Sequence, residues 1–415
     1  MLGFVAMLLP AAGACTATRP HGRPAAAASP ATSASLPRPP VPSGSTPYES
    51  AVFALRFHAA GIHDDDEQAW MDGIDPGNAA LRERYQAVYR TLKSLGATEF
   101  KYDPGISKAD PKDPSAITFP TRIWYCFGAD TCRGTDPAEI QQVVTMKAVG
   151  GRWVIRAVTD KPDPRYFEPT PWEDGTLVLA QGPHVTAAAE PSEASFLQRV
   201  LPLAEKAAAA DESFATRLLA TQTRYRVYLA GEKQWKRWYG GDDDKWLVGL
   251  AVPISRYGTD VMLRIRELDS DADIQVTLQH EFAHVISLAG AEETRAADKW
   301  LSEGIAEYIG WSPKTATASL RMGSVRWQVS RRTPRSMIPK DPGRDGSGRE
   351  GDAYYGLSHL AVDCMAQKYG QDRMLRFTRQ VLLHGETYEV AARDAYGTSF
   401  AKVDTACTSW IRAHV

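Results

Sequence analysis

The sequence predicts an α+β protein in which a smaller helix-then-sheet part precedes a larger mixed sheet followed by a helical lobe. Three observations predict it. Period-two runs between positions 116 and 158 follow two helical stretches. Two later strand-like runs, 225–230 and 247–253, lead into a helix that carries paired histidines. Residues 352–415 then read as helix, with breaks at Gly370, Gly385 and Gly397. A chain of 415 residues is long enough for two or three domains with a substantial core. Its formal net charge of −2 offers no basic excess, which argues against nucleic-acid binding as a main role.

Residues 1–14 are mostly apolar and small, and Cys15 follows, then a Pro/Ala/Ser/Thr stretch over 16–47. The apolar run is too short to span a bilayer and reads as an export signal. Ala12-Gly13-Ala14-Cys15 resembles a lipobox, which implies lipidation of Cys15 and anchoring to a bacterial membrane as a lipoprotein. No lysine or arginine precedes the run, and position 12 is alanine rather than leucine, so simple secretion is the alternative. Residues 16–47 lack the apolar content to fold and read as a disordered tether.

Residues 48–165 form the first folded unit. Helices are expected over 48–61 and 76–95, and strands over 116–127, 139–149 and 152–158, the last two joined at Gly150-Gly151. Consecutive acids point in different directions, so His63-Asp-Asp-Asp-Glu67 reads as a solvated helix end rather than a metal site. Two helices followed by an antiparallel sheet resemble the NTF2-like (cystatin-like cone) fold. Residues 166–415 form the second unit. It opens with a connector containing a strand near 177–180 and a helix over 194–209, and Asp242-Asp-Asp244 marks a polar turn.

His280-Glu281-Phe282-Ala283-His284 is an HExxH motif, and Glu303 follows its second histidine after eighteen intervening residues. Residues four apart stack on one helix face, so His280 and His284 aim two imidazoles at one point. Glu281 lies about 100° around from His280, beside a metal rather than on it, placed to deprotonate water. Asp269, Ser270, Asp271 and Asp273 supply caps and acidic first-turn residues. Ile274, Leu278 and Val285 form the apolar stripe, and Gly290 a stop. A second helix from about 298 to 310 carries Glu303 and Glu307 one turn apart. Two imidazoles and one carboxylate suit a tetrahedral zinc with an open fourth position, one Zn2+ per chain.

The constellation resembles the gluzincin metallopeptidases, the class of thermolysin and aminopeptidase N. The HExxH-x18-E spacing and Trp300-Leu-Ser-Glu-Gly-Ile-Ala-Glu-Tyr308 look most like the aminopeptidase N branch and its peptidase MA-like relatives. The resemblance implies a zincin-type domain, zinc ligands His280, His284 and Glu303, and Glu281 as general base. It also implies that Glu307 orients a ligand histidine. Related enzymes place a tyrosine on a later helix. Ala353-Tyr-Tyr-Gly-Leu-Ser-His-Leu-Ala-Val362 resembles that helix, making Tyr355 the candidate electrophile with Tyr354 in reserve. His359, one turn beyond Tyr355, reads as structural. Gly249, Leu250, Ala251 and Val252 correspond to the edge strand that pairs with substrate backbone. They lack the glutamate with which aminopeptidase relatives grip a free amino terminus, which favours endopeptidase action or another specificity on peptide or protein substrates. The arginines Arg321, Arg326, Arg331, Arg332 and Arg335 read as a solvated face.

Without Cys15, four cysteines remain, an even number in a chain expected outside the cytoplasm. Proximity favours Cys126–Cys132 and Cys364–Cys407 among the three possible pairings, with free buried thiols as the alternative. The motif specifies an attacking water and not a substrate. A hydrolase of non-peptide amides or esters, or a non-catalytic zinc-binding scaffold, therefore remains open alongside the peptidase reading, as does oligomeric state.

Overall fold

The structure, a computed structural model, describes residues 43–110, 113–128, 137–160, 168–174, 176–220, 222–241, 247–291, 295–343 and 345–415. The export signal, Cys15, most of the tether, Cys132 and Asp242-Asp-Asp244 lie outside the described residues.

Three helices open the folded chain: α1 (Pro47–His63), α2 (Glu67–Asp72) and α3 (Ala79–Ser94). Thr46 and Glu49 form a capping box with Pro47 in the first turn of α1. The acidic run is the junction between helices, where Asp66 accepts from the Ala69 amide and starts α2, a helix the sequence reading did not separate. An antiparallel sheet follows, made of β1 (Ala97–Pro104), β2 (Lys108–Asp110), β3 (Asp113–Phe127), β4 (Ala138–Val149) and β5 (Arg152–Asp160). Its order is β1-β3-β4-β5, with β2 also paired to β3.

The second sheet contains β6 (Val178–Gln181), β7 (Val185–Ala189), β8 (Tyr225–Ala230), β9 (Gly249–Pro253) and β10 (Thr259–Arg264), in the order β6-β7-β8-β10-β9. The central three strands run parallel, and β6 and β9 run antiparallel to their neighbours. Helix α4 (Leu197–Leu218) connects β7 to β8, and the short α5 (Glu232–Trp235) follows β8. Every residue of β7 and β8 is buried, as expected of strands covered on both faces. Val227, Leu229, Val261 and Leu263 pack toward α4 and the histidine helix. Tyr228, Ala230 and Met262 on the other face join Phe100, Tyr125 and Trp172 in one apolar cluster with the first sheet. In that layer Arg226 pairs with Asp260 at 2.5 Å, Tyr239 donates to Asp260 at 2.7 Å, and the Arg226 guanidinium lies over the Phe127 ring.

Strands β7 and β10 were not anticipated. An acid such as Asp260 is disfavoured in a strand, and its pairing with Arg226 and the Tyr239 hydroxyl offsets that. Helix α4 outruns its expected end near 209 and closes at Leu219 in the left-handed conformation. The remainder is helical: α6 (Asp271–Ser287), α7 (Lys299–Gly310), α8 (Met322–Arg331), α9 (Gly348–Tyr369), α10 (Gln371–Leu382), α11 (Tyr388–Tyr396) and α12 (Phe400–His414). Cys364 and Cys407 form a disulfide between α9 and α12, with Cα atoms 5.6 Å apart. No described helix is long and apolar enough to cross a membrane.

Asp211, on the buried face of α4, has no hydrogen-bond partner at either carboxylate oxygen. Burial pushes its pKa from an ordinary 3.8 up to about 8. The folded state therefore keeps a proton that the unfolded chain releases near pH 4. Its contribution is full below pH 4 and is lost as pH rises through 8. Urea midpoints should fall for the wild type between pH 5 and 8, and Asp211→Asn should flatten that part of the profile. An unchanged slope in the variant would remove Asp211 as its source.

Candidate metal centre

Helix α6 begins with a capping box, Ser270 accepting from the Asp273 amide and Asp273 from the Ser270 amide. Ile274, Leu278, Phe282 and Val285 are buried, and the Phe282 ring stacks on Tyr225 of β8 with centroids 4.1 Å apart. With that face fixed to the sheet, His280, Glu281 and His284 turn toward α7 and the edge strand β9. Helix α7 crosses close over α6: Gln279 donates to the Ile309 carbonyl at 3.0 Å. A Cβ at Gly310 would sit 3.3 Å from His280 backbone atoms, so a side chain there would force the helices apart.

The crossing brings His280 Nε2, His284 Nε2 and one oxygen of Glu303 together. The two nitrogens are 3.2 Å apart, and Glu303 Oε2 lies 3.5 Å from His280 and 3.3 Å from His284. Zinc bonds of about 2.0–2.1 Å in tetrahedral array set ligand atoms about 3.3–3.4 Å apart, so the triangle has the dimensions of a three-ligand face. Glu303 Oε2 is buried and faces both imidazole nitrogens without hydrogen-bond geometry to either, a gap a bound cation would close. Charge points the same way. Burial alone would lower the pKa of His280, but Glu303 and Glu307 carry it up to about 10. Burial likewise opposes ionisation of Glu303, yet the two histidines bring it down to about 2. The residues present fit a divalent metal.

Glu307 is 1% exposed and places Oε1 3.1 Å from His280 Nδ1. Behind it, Arg321 grips both carboxylate oxygens, Nε to Oε2 and Nη2 to Oε1, each at 2.9 Å. Burial opposes the charge, but Arg321 holds Glu307 well below the ordinary carboxylate range. The solvated-face reading of the arginines therefore fails for Arg321, whose partner is buried. It holds for Arg326, Arg331, Arg332 and Arg335, which are exposed. Ser302 Oγ lies 3.4 Å from His284 Nδ1, a contact sequence reasoning missed although Ser302 adjoins Glu303.

Glu281 is 6% exposed and accepts from the Ala251 amide of β9. Burial raises its pKa, with His280 and His284 opposing. A Cβ on Gly249 would collide with Glu281 Oε1 and the Thr277 methyl, so any larger residue there must push the carboxylate away from the strand. A cleft of about 320 Å³ is lined by Gly249, Leu250, Ala251, Glu281, the three ligand candidates and Tyr355. Val252, expected with them, is instead buried in the apolar cluster shared with the first sheet.

Tyr355 lies with its ring centroid 5.9 Å from that of His280. Burial first, and Glu303 second, push its phenol well above the ordinary value, so it stays protonated. Tyr354 lines a separate pocket with Arg335, Met337 and Leu357. His359 is fully buried outside the cleft lining, and burial lowers its pKa to about 4, leaving it neutral.

No protein-family profile matches the sequence, and no curated protein matches it. Solved structures similar to it include two of an M1 zinc metallopeptidase from Deinococcus radiodurans. One is a mutant bound to a Tyr-Ser-Ala substrate, with 13% identity, 76% of this chain and 63% of that chain covered, and a TM-score of 0.31. The other has 14% identity, coverage of 76% and 61%, and a TM-score of 0.32. The chain thus spans about three fifths of the length of these structures.

Overpacking a well-filled site costs about 1–3 kcal/mol. Gly249→Ala should therefore lower unfolding stability in urea by that amount, as Glu281 and Thr277 are pushed from β9. A variant as stable as wild type would mean that Glu281 is not seated against the strand.

Proposed function

We propose that this protein is an extracytoplasmic zinc metallopeptidase of the gluzincin type, hydrolysing peptide bonds with Glu281 as general base. The observation that carries the reading is the closed triangle of His280, His284 and Glu303 with the buried Glu281 carboxylate beside it. Bound there, zinc would supply Lewis acidity toward a carbonyl oxygen and toward water. The protein's own groups do the rest. Glu281, held by the Ala251 amide, takes a proton from the attacking water and delivers it to the departing amine nitrogen. Burial raises its pKa, which suits a group that must both accept and return a proton. The Tyr355 phenol, kept protonated, donates to the carbonyl oxygen as negative charge develops. The edge strand at Gly249, Leu250 and Ala251 presents backbone groups for an extended substrate to pair with.

The same reading includes an NTF2-like N-terminal domain, supported by three helices ahead of an antiparallel sheet, and a lipid anchor at Cys15. It also favours cleavage within chains, since Gly249, Leu250 and Ala251 offer no carboxylate to a free amino terminus.

Elemental analysis of purified protein should find about one zinc per chain, and none in Glu303→Ala. Absence of zinc from the wild type would overturn the proposal. Glu281→Gln should keep the metal and lose about 10²–10⁴-fold in turnover of a peptide panel. Retained turnover would remove Glu281 as the base. Tyr355→Phe should lower kcat about 10²-fold with zinc content unchanged, and an unaltered kcat would reduce Tyr355 to packing.

A further inference from the structure

We propose that Arg321 is a positioning residue that holds His280 and Tyr355 in register across the cleft, an assignment that rests on the metallopeptidase reading. Its guanidinium touches three groups on two helices. Two of its N–H groups go to Glu307 of α7, whose Oε1 stands 3.1 Å from His280 Nδ1. A third, from Nη1, goes to Asp352 Oδ1 of α9 at 2.6 Å, and Asp352 lies three residues before Tyr355 on that helix. The face of the same cation lies over the Tyr355 ring, 4.8 Å from its centroid. One planar fork thus contacts the carboxylate behind a ligand histidine and the ring of the cleft tyrosine.

Each contact has a physical consequence. Glu307 is too deeply buried to remain ionised alone, and a lone buried charge is strongly unfavourable. The fork of Arg321 engages both oxygens at 2.9 Å, so Glu307 cannot rotate away from His280. A carboxylate on the distal nitrogen fixes the tautomer that leaves Nε2 free to ligate. On the other side, the cation and Asp352 set where the second turn of α9, and with it the Tyr355 ring, stands relative to α7. Lysine supplies the charge without the fork or the planar face. A simple structural clamp would give the same contacts, but it predicts lost stability alone.

The test measures zinc affinity by competition with a chromophoric chelator, on the full protein carrying Arg321→Met or Arg321→Lys, with near-UV circular dichroism to verify the fold. Arg321→Met should bind zinc about 10–100-fold more weakly, and Arg321→Lys should fall between it and wild type. At saturating zinc, Arg321→Met should lower kcat by about tenfold, but by less than twofold when Tyr355 is already Phe, because the two changes remove one arrangement. A folded Arg321→Met protein with zinc affinity within about twofold of wild type overturns the proposal. So do independent, multiplicative effects on kcat. If Arg321→Met does not fold, Arg321→Lys decides: wild-type affinity and kcat in it overturn the role of the fork, and a loss in both supports it. If the wild type binds zinc yet hydrolyses no peptide, the peptidase reading fails, while the affinity series still decides whether Arg321 acts on His280.

Discussion

The close crossing of α6 and α7 is the constraint on which the rest of this site depends. Two ligand atoms come from one helix and the third from the other, so the triangle's dimensions are set by interhelical distance rather than by either helix alone. Gly310 permits the approach, and the Gln279 bond to the Ile309 carbonyl fixes it. At the other end of α7, Trp300 donates to the Tyr388 hydroxyl, which donates to the Ala297 carbonyl, tying the helix start to α11. Close-packed interiors do not absorb a shift of even one methylene. A change at any of these points would therefore be expressed as a wrong distance between Glu303 and the histidines.

The second requirement is a stiff edge strand. Strand β9 hydrogen-bonds only to β10 in its sheet, so its rigidity is inherited from the sheet interior. The first sheet and its helices cover the back of β8 and β10, and α4 and α6 cover the front. A strand covered twice has no freedom to bow, and Glu281 is seated against its neighbour. The buried Arg226–Asp260 pair belongs to this logic. Such pairs add little net stability compared with apolar residues, but here Tyr239 and the Phe127 ring complete the surroundings of both charges. The first unit is thus part of the backing against which the cleft is built.

How much of this was legible in sequence depends on whether spacing alone fixes direction. His280, Glu281 and His284 were legible because a helix turns a four-residue interval into a shared face. The same rule puts Glu307 one turn beyond Glu303, but its role came from the family resemblance and not from spacing. Tyr355 and Tyr354 are neighbours about 100° apart on one helix, so choosing between them needs the orientation of α9, which no local pattern encodes. Arg321 stands fourteen residues beyond Glu307 among four exposed arginines, and nothing linear distinguishes it from them. Its role arises from the packing of α8, a helix hidden by the Arg, Ser and Gly content of that stretch. Strand β10 was obscured for a related reason: Asp260 contradicts strand propensity, and its partner is thirty-four positions away. Local rules failed where a distant charge had overruled them.

The distribution of charge around His280, His284 and Glu303 shows why the triangle suits a divalent metal. Three carboxylates, Glu281, Glu303 and Glu307, surround two imidazoles. Among the described residues, Arg321 pairs with Glu307 and no lysine or arginine pairs with Glu281 or Glu303. The cations nearer the cleft are engaged elsewhere: Arg295 pairs with Asp298 and donates to two carbonyls, and Lys299 faces Asp341. Glu303 and Glu307, with Glu281 behind them, all face His280, which is why it is driven up to about 10. A dication at the triangle would take the place of protons there and engage Glu303 Oε2 and both Nε2 atoms together. Proton and metal would then compete for one site, and metal binding there would release the proton that His280 holds.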